Sequence, residues 1–496
     1  MGQSRVSSFP PASTDMPPNK FTFDVKPENL FEERSAQFVN WGLPEEQVRS
    51  LASTVSDTWG DGPGGWVYEW SKVGKAYEEQ GDHMTAAMAF GAAKFPTIST
   101  QSRQDALAKQ VDNYVKASPK FPVAFDRRIV TCSREGAEVL VPVHVLSHPE
   151  ADSSSPVVIG SGGVDTWKMD LHKVWVAFAL ACRCHVVAFD LPGNGELSHV
   201  PMDNKSDQVI GGLIKFAREL GNGIVCHFGF SMGGHYSALS GLRHDTDYAI
   251  VCGGPTDDSF TERNAMRLTE GFGMDGIMFN AIGRWTKMPE TKELLDVVPM
   301  FSLKYLLDQD INCPMYVING DSDFHISNAD VTGMDGRKDT EVHLYPNTGH
   351  CCNAEPGAIK MMVEWLKTKF RVSSFPPAST DMPSNKFTFD VKPENLFEER
   401  SAQFVNWGLP EEQVRSLAST VSDTWGDGPG GWVYEWSKVG KAYEEQGDHM
   451  TAAMAFGAAK FPTISTQSRQ DALAKQVDNY VKASPKFPVA FDRRIV

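Results

Sequence analysis

The sequence predicts an α/β protein: a mostly parallel central sheet with helices on both faces, preceded by a helical lid domain whose sequence returns at the C-terminal end. Three observations carry this reading. From Phe125 onward, short and wholly apolar runs alternate with segments of helical period, the pattern of strands buried on both faces. A sharp strand-to-helix turn, Gly229-Phe230-Ser231-Met232-Gly233, lies inside that alternation. Residues 5–130 recur as 371–496, with Pro18 against Ser384 as the single difference.

The chain has 496 residues, of which 41% are apolar and 10% aromatic, enough for more than one domain with a sizeable core. Its net charge of -16 and the lack of any Lys/Arg run argue against a nucleic-acid partner. Residues 1–20, rich in Pro and Ser, are expected to be disordered. The N-terminus has no apolar signal core and no stretch is long enough to span a bilayer, so the expectation is a cytoplasmic protein without membrane contact. Helices follow over Pro27–Asn40 and Pro44–Asp57. Gly62-Pro63-Gly64-Gly65 then breaks the chain before a helix carrying Trp66, Trp70, Val73 and Tyr77 at helical spacing. Asp82 reads as the N-cap of the next helix, and Gln101–Lys116 completes a domain of helical hairpins over 21–122. A linker is expected over 371–386 and the second helical copy over 387–496. Such near-identity differs from a solenoid, whose repeats diverge and number more than two.

The segment 123–370 reads as the sheet domain. It begins with an antiparallel hairpin turning at Glu135-Gly136, and its buried strands start at Pro156, Cys184, Ile224, Tyr248 and Met315. In such sheets, functional groups gather on loops at the carboxyl ends of the strands. At the turn after the strand at 224–228, a serine stands clear of the backbone only if its flanks are small, which Gly229 and Gly233 supply. The next strand-end loops bear Asp323, with Asp321 as the rival acid, and His350. The order Ser231, Asp323, His350 is the one found on the α/β-hydrolase fold. In that arrangement His350 takes the serine proton, Asp323 orients the imidazole, and the amides of Met232, Gly163 and Val164 form an oxyanion hole. Asp165, Asp258, Glu262 and Phe230 are candidates for the substrate pocket, beneath a Met- and aromatic-rich insertion at 256–310. All eight cysteines lie between 132 and 352 and read as reduced core thiols; Cys182-x-Cys184 and Cys351-Cys352 lack zinc-site spacing, so no metal or other cofactor is expected. The partner is then a small apolar molecule.

Gly65-Trp66-Val67-Tyr68-Glu69-Trp70, Val157 to Asp165, Asp190-x-Pro192-Gly193 and Gly229 to Gly234 together resemble the FrsA-like branch of the α/β-hydrolases over roughly 25–370. The resemblance implies a helical domain over the mouth of the site, often a homodimer, and cleavage of an ester or of a carbon-carbon bond beside a ketone in aromatic or polyketide-type substrates. Some members lack the elbow serine and act as regulatory binding proteins; Ser231 is kept here.

Overall fold

The computed structural model describes residues 13–17, 19–270, 273–309, 311–370 and 388–484. The linker expected over 371–386 and most of the expected disordered N-terminus lie outside the described residues. Two compact units divide at Arg371 and Val372.

In the first unit, helices α1 (Pro27–Trp41), α2 (Glu45–Thr54), α3 (Trp66–Glu79), α4 (His83–Ala93) and α5 (Gln101–Ala117) precede the sheet. Asp82 caps α4 by accepting from the Thr85 amide, as its position before an alanine-rich run predicts. Helix α2 ends earlier than its apolar period suggests. Val55 is extended, and its buried side chain is held by the loop rather than by a further helical turn. Trp66 and Trp70 are fully buried against Phe31 and Phe38, so the aromatic stripe is core.

The sheet has eight strands: β1 (Ala124–Arg134), β2 (Ala137–Ser147), β3 (Val157–Ser161), β4 (His185–Phe189), β5 (Val225–Phe230), β6 (Tyr248–Cys252), β7 (Met315–Gly320) and β8 (Thr340–Tyr345). Their order is β1-β2-β4-β3-β5-β6-β7-β8. β1 and β2 form the antiparallel hairpin and β2 pairs antiparallel with β4; all other pairs are parallel. Strands β3, β4, β5 and β7 are buried along their whole length, which is why their sequences are apolar rather than alternating. Helices α6 (His172–Ala181), α7 (Ser206–Leu220) and α8 (Met232–Leu242) cover the faces.

Two buried arrangements position the upper loops. Lys168, completely buried, places its ammonium 2.5 Å from Asp190 and 2.8 Å from Glu196, and Arg127 on β1 grips Glu196 through both carboxylate oxygens. Such a cluster holds its charges only because each finds a partner. The segment Asn19–Phe23 forms a strap across the insertion. Asn280 exchanges hydrogen bonds with the backbone of Phe21, while Lys20 donates to the carbonyls of Gly193 and Asn280. Burial pushes the Lys20 ammonium down to about 7.

The second unit repeats the same five helices over Pro393–Asn406, Glu411–Thr420, Trp432–Glu445, His449–Ala459 and Gln467–Ala483. Trp432 and Trp436 are fully buried against Phe397 and Phe404.

Candidate active site

Ser231 lies between β5 and α8 with φ 55° and ψ -123°, a conformation a residue with a side chain adopts only under constraint. The constraint is visible in its neighbours. A Cβ at Gly229 would come within 2.0 Å of the Gly233 carbonyl, and one at Gly233 within 2.4 Å of the Gly162 carbonyl. The two glycines therefore let the turn close while β3 lies alongside. A Cβ built on Gly163 would stand 3.1 Å from Ser231 Oγ, so the loop after β3 runs directly past the hydroxyl.

Gly163 and Met232 therefore lie beside the serine, the one across the turn and the other next in the chain. Among the described residues, no acceptor is paired with the backbone N–H groups of Met232, Gly163 or Val164. Val164 is buried and lines a small cavity together with Lys20, Trp167, Asn194 and Ile277. Asp165 is ion-paired with Arg34 of α1, and Gln37 donates to Thr166 at 2.8 Å. Helix α1 is thus tied to the loop that passes the serine.

Asp323 and His350 meet at the ends of β7 and β8. His350 Nδ1 is 2.7 Å from Asp323 Oδ2, and that carboxylate is completely buried. It also accepts from Asn319 Nδ2 at 2.8 Å and from the amides of His325 and Ile326 at 2.8 and 3.1 Å. Burial alone would raise the Asp323 pKa, but the His350 charge and these donors outweigh it and carry the group down to about 2. Asp321, the rival acid, accepts from Ser322 and the Asn347 amide in its own loops and is exposed.

The distal nitrogen of His350 has an unexpected neighbour. Nε2 lies 3.5 Å from Cys351 Sγ, and no hydrogen bond joins it to Ser231. Burial disfavours the imidazolium, but Asp323 and Cys351 together lift its pKa well above the usual histidine value. Residues Cys351, Cys352, Asn353 and Ala354 all have φ between 50° and 54°, a left-handed run without glycine. Each such residue costs on the order of 1 kcal/mol, so surrounding contacts must hold the run in place. One of these is Asn319, whose Oδ1 accepts from the Cys351 amide at 2.9 Å.

The remaining pocket candidates have these settings: the Asp258 carboxylate accepts from Asn264 Nδ2 within its own turn, and Glu262 is exposed. The turn's amides are instead clamped on Asp330. Phe230 packs on Phe228, 4.9 Å away, because residues two apart on a strand share a face; its ring belongs to the core beneath the sheet. Sequence reasoning also missed Cys351, Asn319 and Arg34. Of these, only Cys351 carried a signal, its adjacency to His350.

Comparison with known proteins agrees with this architecture. The family model described as Esterase FrsA-like matches residues 46–326. The esterase FrsA of Vibrio cholerae serotype O1 is 28% identical over 264 residues, covering 47% of this chain and 62% of its own length. That of Photobacterium profundum is 25% identical over 204 residues, covering 37% and 47%. The chain therefore spans less than two thirds of the length of these relatives. Among solved structures, AbyA5 superposes with a TM-score of 0.56 at 18% identity, covering 66% of this chain and 90% of that one. The 2,6-dihydroxy-pseudo-oxynicotine hydrolase gives 0.53 at 19% identity, covering 67% and 94%. These two establish the α/β-hydrolase fold.

Proposed function

The chain belongs to the FrsA-like esterase family, and on that premise we propose that it is a serine hydrolase acting on an acyl bond of a small apolar molecule. The observation that carries this reading is the Asp323–His350 pair at 2.7 Å, next in the chain to Cys351, whose thiol shares the Cys252 carbonyl with the backbone N–H of a strained Ser231. Ser231 Oγ attacks the substrate carbonyl while His350 Nε2, the nitrogen not engaged by Asp323, accepts its proton; the form that does this is the one in which Cys351 holds its own proton and the imidazole is neutral. The amides of Met232 and of Val164 or Gly163 receive the oxyanion. Collapse of the tetrahedral intermediate expels the leaving group, which takes the proton from His350, and water then frees the acyl-enzyme by the same route. The bond is an ester, as the family description suggests. Cleavage of a carbon-carbon bond beside a ketone would use the same parts and is the alternative reading. The protein is further proposed to work as a cytoplasmic homodimer, which sedimentation of the full chain tests.

Labelling with a fluorophosphonate, read by intact mass, should give one adduct that Ser231→Ala abolishes, and the variant should lose on the order of 10⁴-fold in turnover. A well-folded wild type that takes no adduct would overturn the hydrolase reading. Paired aromatic ester and β-diketone substrates separate the two bond types by their products.

A further inference from the structure

Cys351 sits where two lines of contact cross. Its thiol lies 3.5 Å from His350 Nε2 and 3.4 Å from the carbonyl oxygen of Cys252. That same oxygen accepts the backbone N–H of Ser231 at 2.9 Å. A single carbonyl thus fixes both the serine backbone and the thiol, and the one imidazole nitrogen left free by Asp323 faces the thiol. The approach is built into the backbone: a Cβ on Gly253, whose φ is 61°, would fall 2.6 Å from Cys351 Sγ. The thiols of Cys252 and Cys352 complete the cluster, and both are buried, whereas Cys351 is partly exposed.

Resting on the hydrolase reading above, we infer that Cys351 is a modification site inside the active centre, open to soft carbon electrophiles and hydrogen peroxide, and that its modification stops the serine chemistry by occupying the face of His350 that Ser231 requires. The electrostatics favour this thiol over the others. Burial opposes its ionisation, but hydrogen bonding to Cys252 and the neighbouring His350 draw it down to about 6. Burial pushes Cys132 to about 11 and Cys182 and Cys313 to about 12. Thiolate, not thiol, is the nucleophile. With iodoacetamide, a sulfur-carbon bond forms as the carbon-iodine bond breaks and iodide leaves, with no redox change. With hydrogen peroxide, a sulfur-oxygen bond forms as the oxygen-oxygen bond breaks. The sulfur is oxidised to a sulfenic acid, and the departing hydroxide leaves as water with the proton that the thiol gave to His350.

The test uses the full chain, treated with iodoacetamide near neutral pH, mapped by peptide mass and then challenged with a fluorophosphonate. Cys351 should alkylate before the other cysteines, and the alkylated protein should lose about tenfold or more in the rate of Ser231 labelling, the range expected when a general base is blocked. Labelling of Cys351→Ala should be insensitive to the same treatment; if that variant does not fold, Cys351→Ser carries the comparison. The inference is overturned if another cysteine reacts first, if alkylated wild type labels at the untreated rate, or if the Cys351 variant remains sensitive. Mapping iodoacetamide on Ser231→Ala separates the two ideas. Selective reaction at Cys351 there, with no fluorophosphonate adduct on wild type, removes the serine reading and retains the thiol site.

Discussion

The two helical copies share a sequence but not an environment. In the first, Lys94 and Asp170 form an ion pair whose side chains are 1% and 0% exposed, and Gln110 donates to the other oxygen of Asp170. In the second, Lys460 donates to Gln476, the counterpart of Gln110. Leu107, Gln110, Val111 and Tyr114, one face of α5 at helical spacing, are buried; Leu473, Gln476, Val477 and Tyr480 are half-buried. The tryptophan contacts match: Trp66 donates to the Ala92 carbonyl at 2.8 Å and Trp432 to that of Ala458 at 2.9 Å. Their edge differs, since Phe95 is buried on Trp66 and Phe461 is half-buried on Trp407. The same residues therefore keep the same tryptophan core in both copies, while the burial of the outer face depends on what the rest of the chain offers it.

Paired substitutions can break or sharpen that contrast. Trp66→Ala and Trp432→Ala should each cost about 3–5 kcal/mol, the range for truncating a buried tryptophan, with calorimetry of the full chain showing equal losses in two separate transitions. Unequal losses would mean that the cores are not autonomous. Lys94→Met leaves Asp170 as a buried unpaired carboxylate and should cost about 3–5 kcal/mol, whereas Lys460→Met should stay within about 0.5 kcal/mol in the same measurement. Arg34→Ala releases Asp165 and the loop beside Ser231, so kcat/KM should fall on the order of tenfold or more through lost positioning. Arg400, bonded to Gln403, should tolerate the same change without effect on turnover. Acid should discriminate most gently. The Asp323 pKa is depressed from 3.8 to about 2, so its contribution is present above pH 4 and is lost as pH falls between those values. The first unit should therefore lose stability in that window through a group that the second lacks, and Asp323→Asn should flatten the dependence.

Much of this was legible in the sequence because the signals were local. Strands buried on both faces announce themselves as unbroken apolar runs, and the elbow needs its two glycines within four residues of each other. Ser231, Asp323 and His350 each follow a recognisable strand. The missed features depend on partners far away in the chain. Arg34 finds Asp165 across 131 residues, and the left-handed run at Cys351 depends on Asn319 and the end of β6, which no spacing rule encodes. Asp258 illustrates the opposite, local case: its carboxylate is satisfied by Asn264, six residues on in the same turn.

The glycine pair at the end of β6 also bears on how such a protein can change over time. Gly253 admits the Cys351 thiol, and a Cβ on Gly254 would stand 2.4 Å from the Gly234 backbone at the start of α8. Everything up to Gly254 is locked to the elbow. The chain from Thr256 to β7 is anchored through Asp330, through the strap at Asn280, and through Ile277, Phe279, Ile282 and Phe301, which are buried in the main core. Variation within such a segment is therefore confined to its outward stretch, residues 284–293, while its inward face must keep its shape against the core.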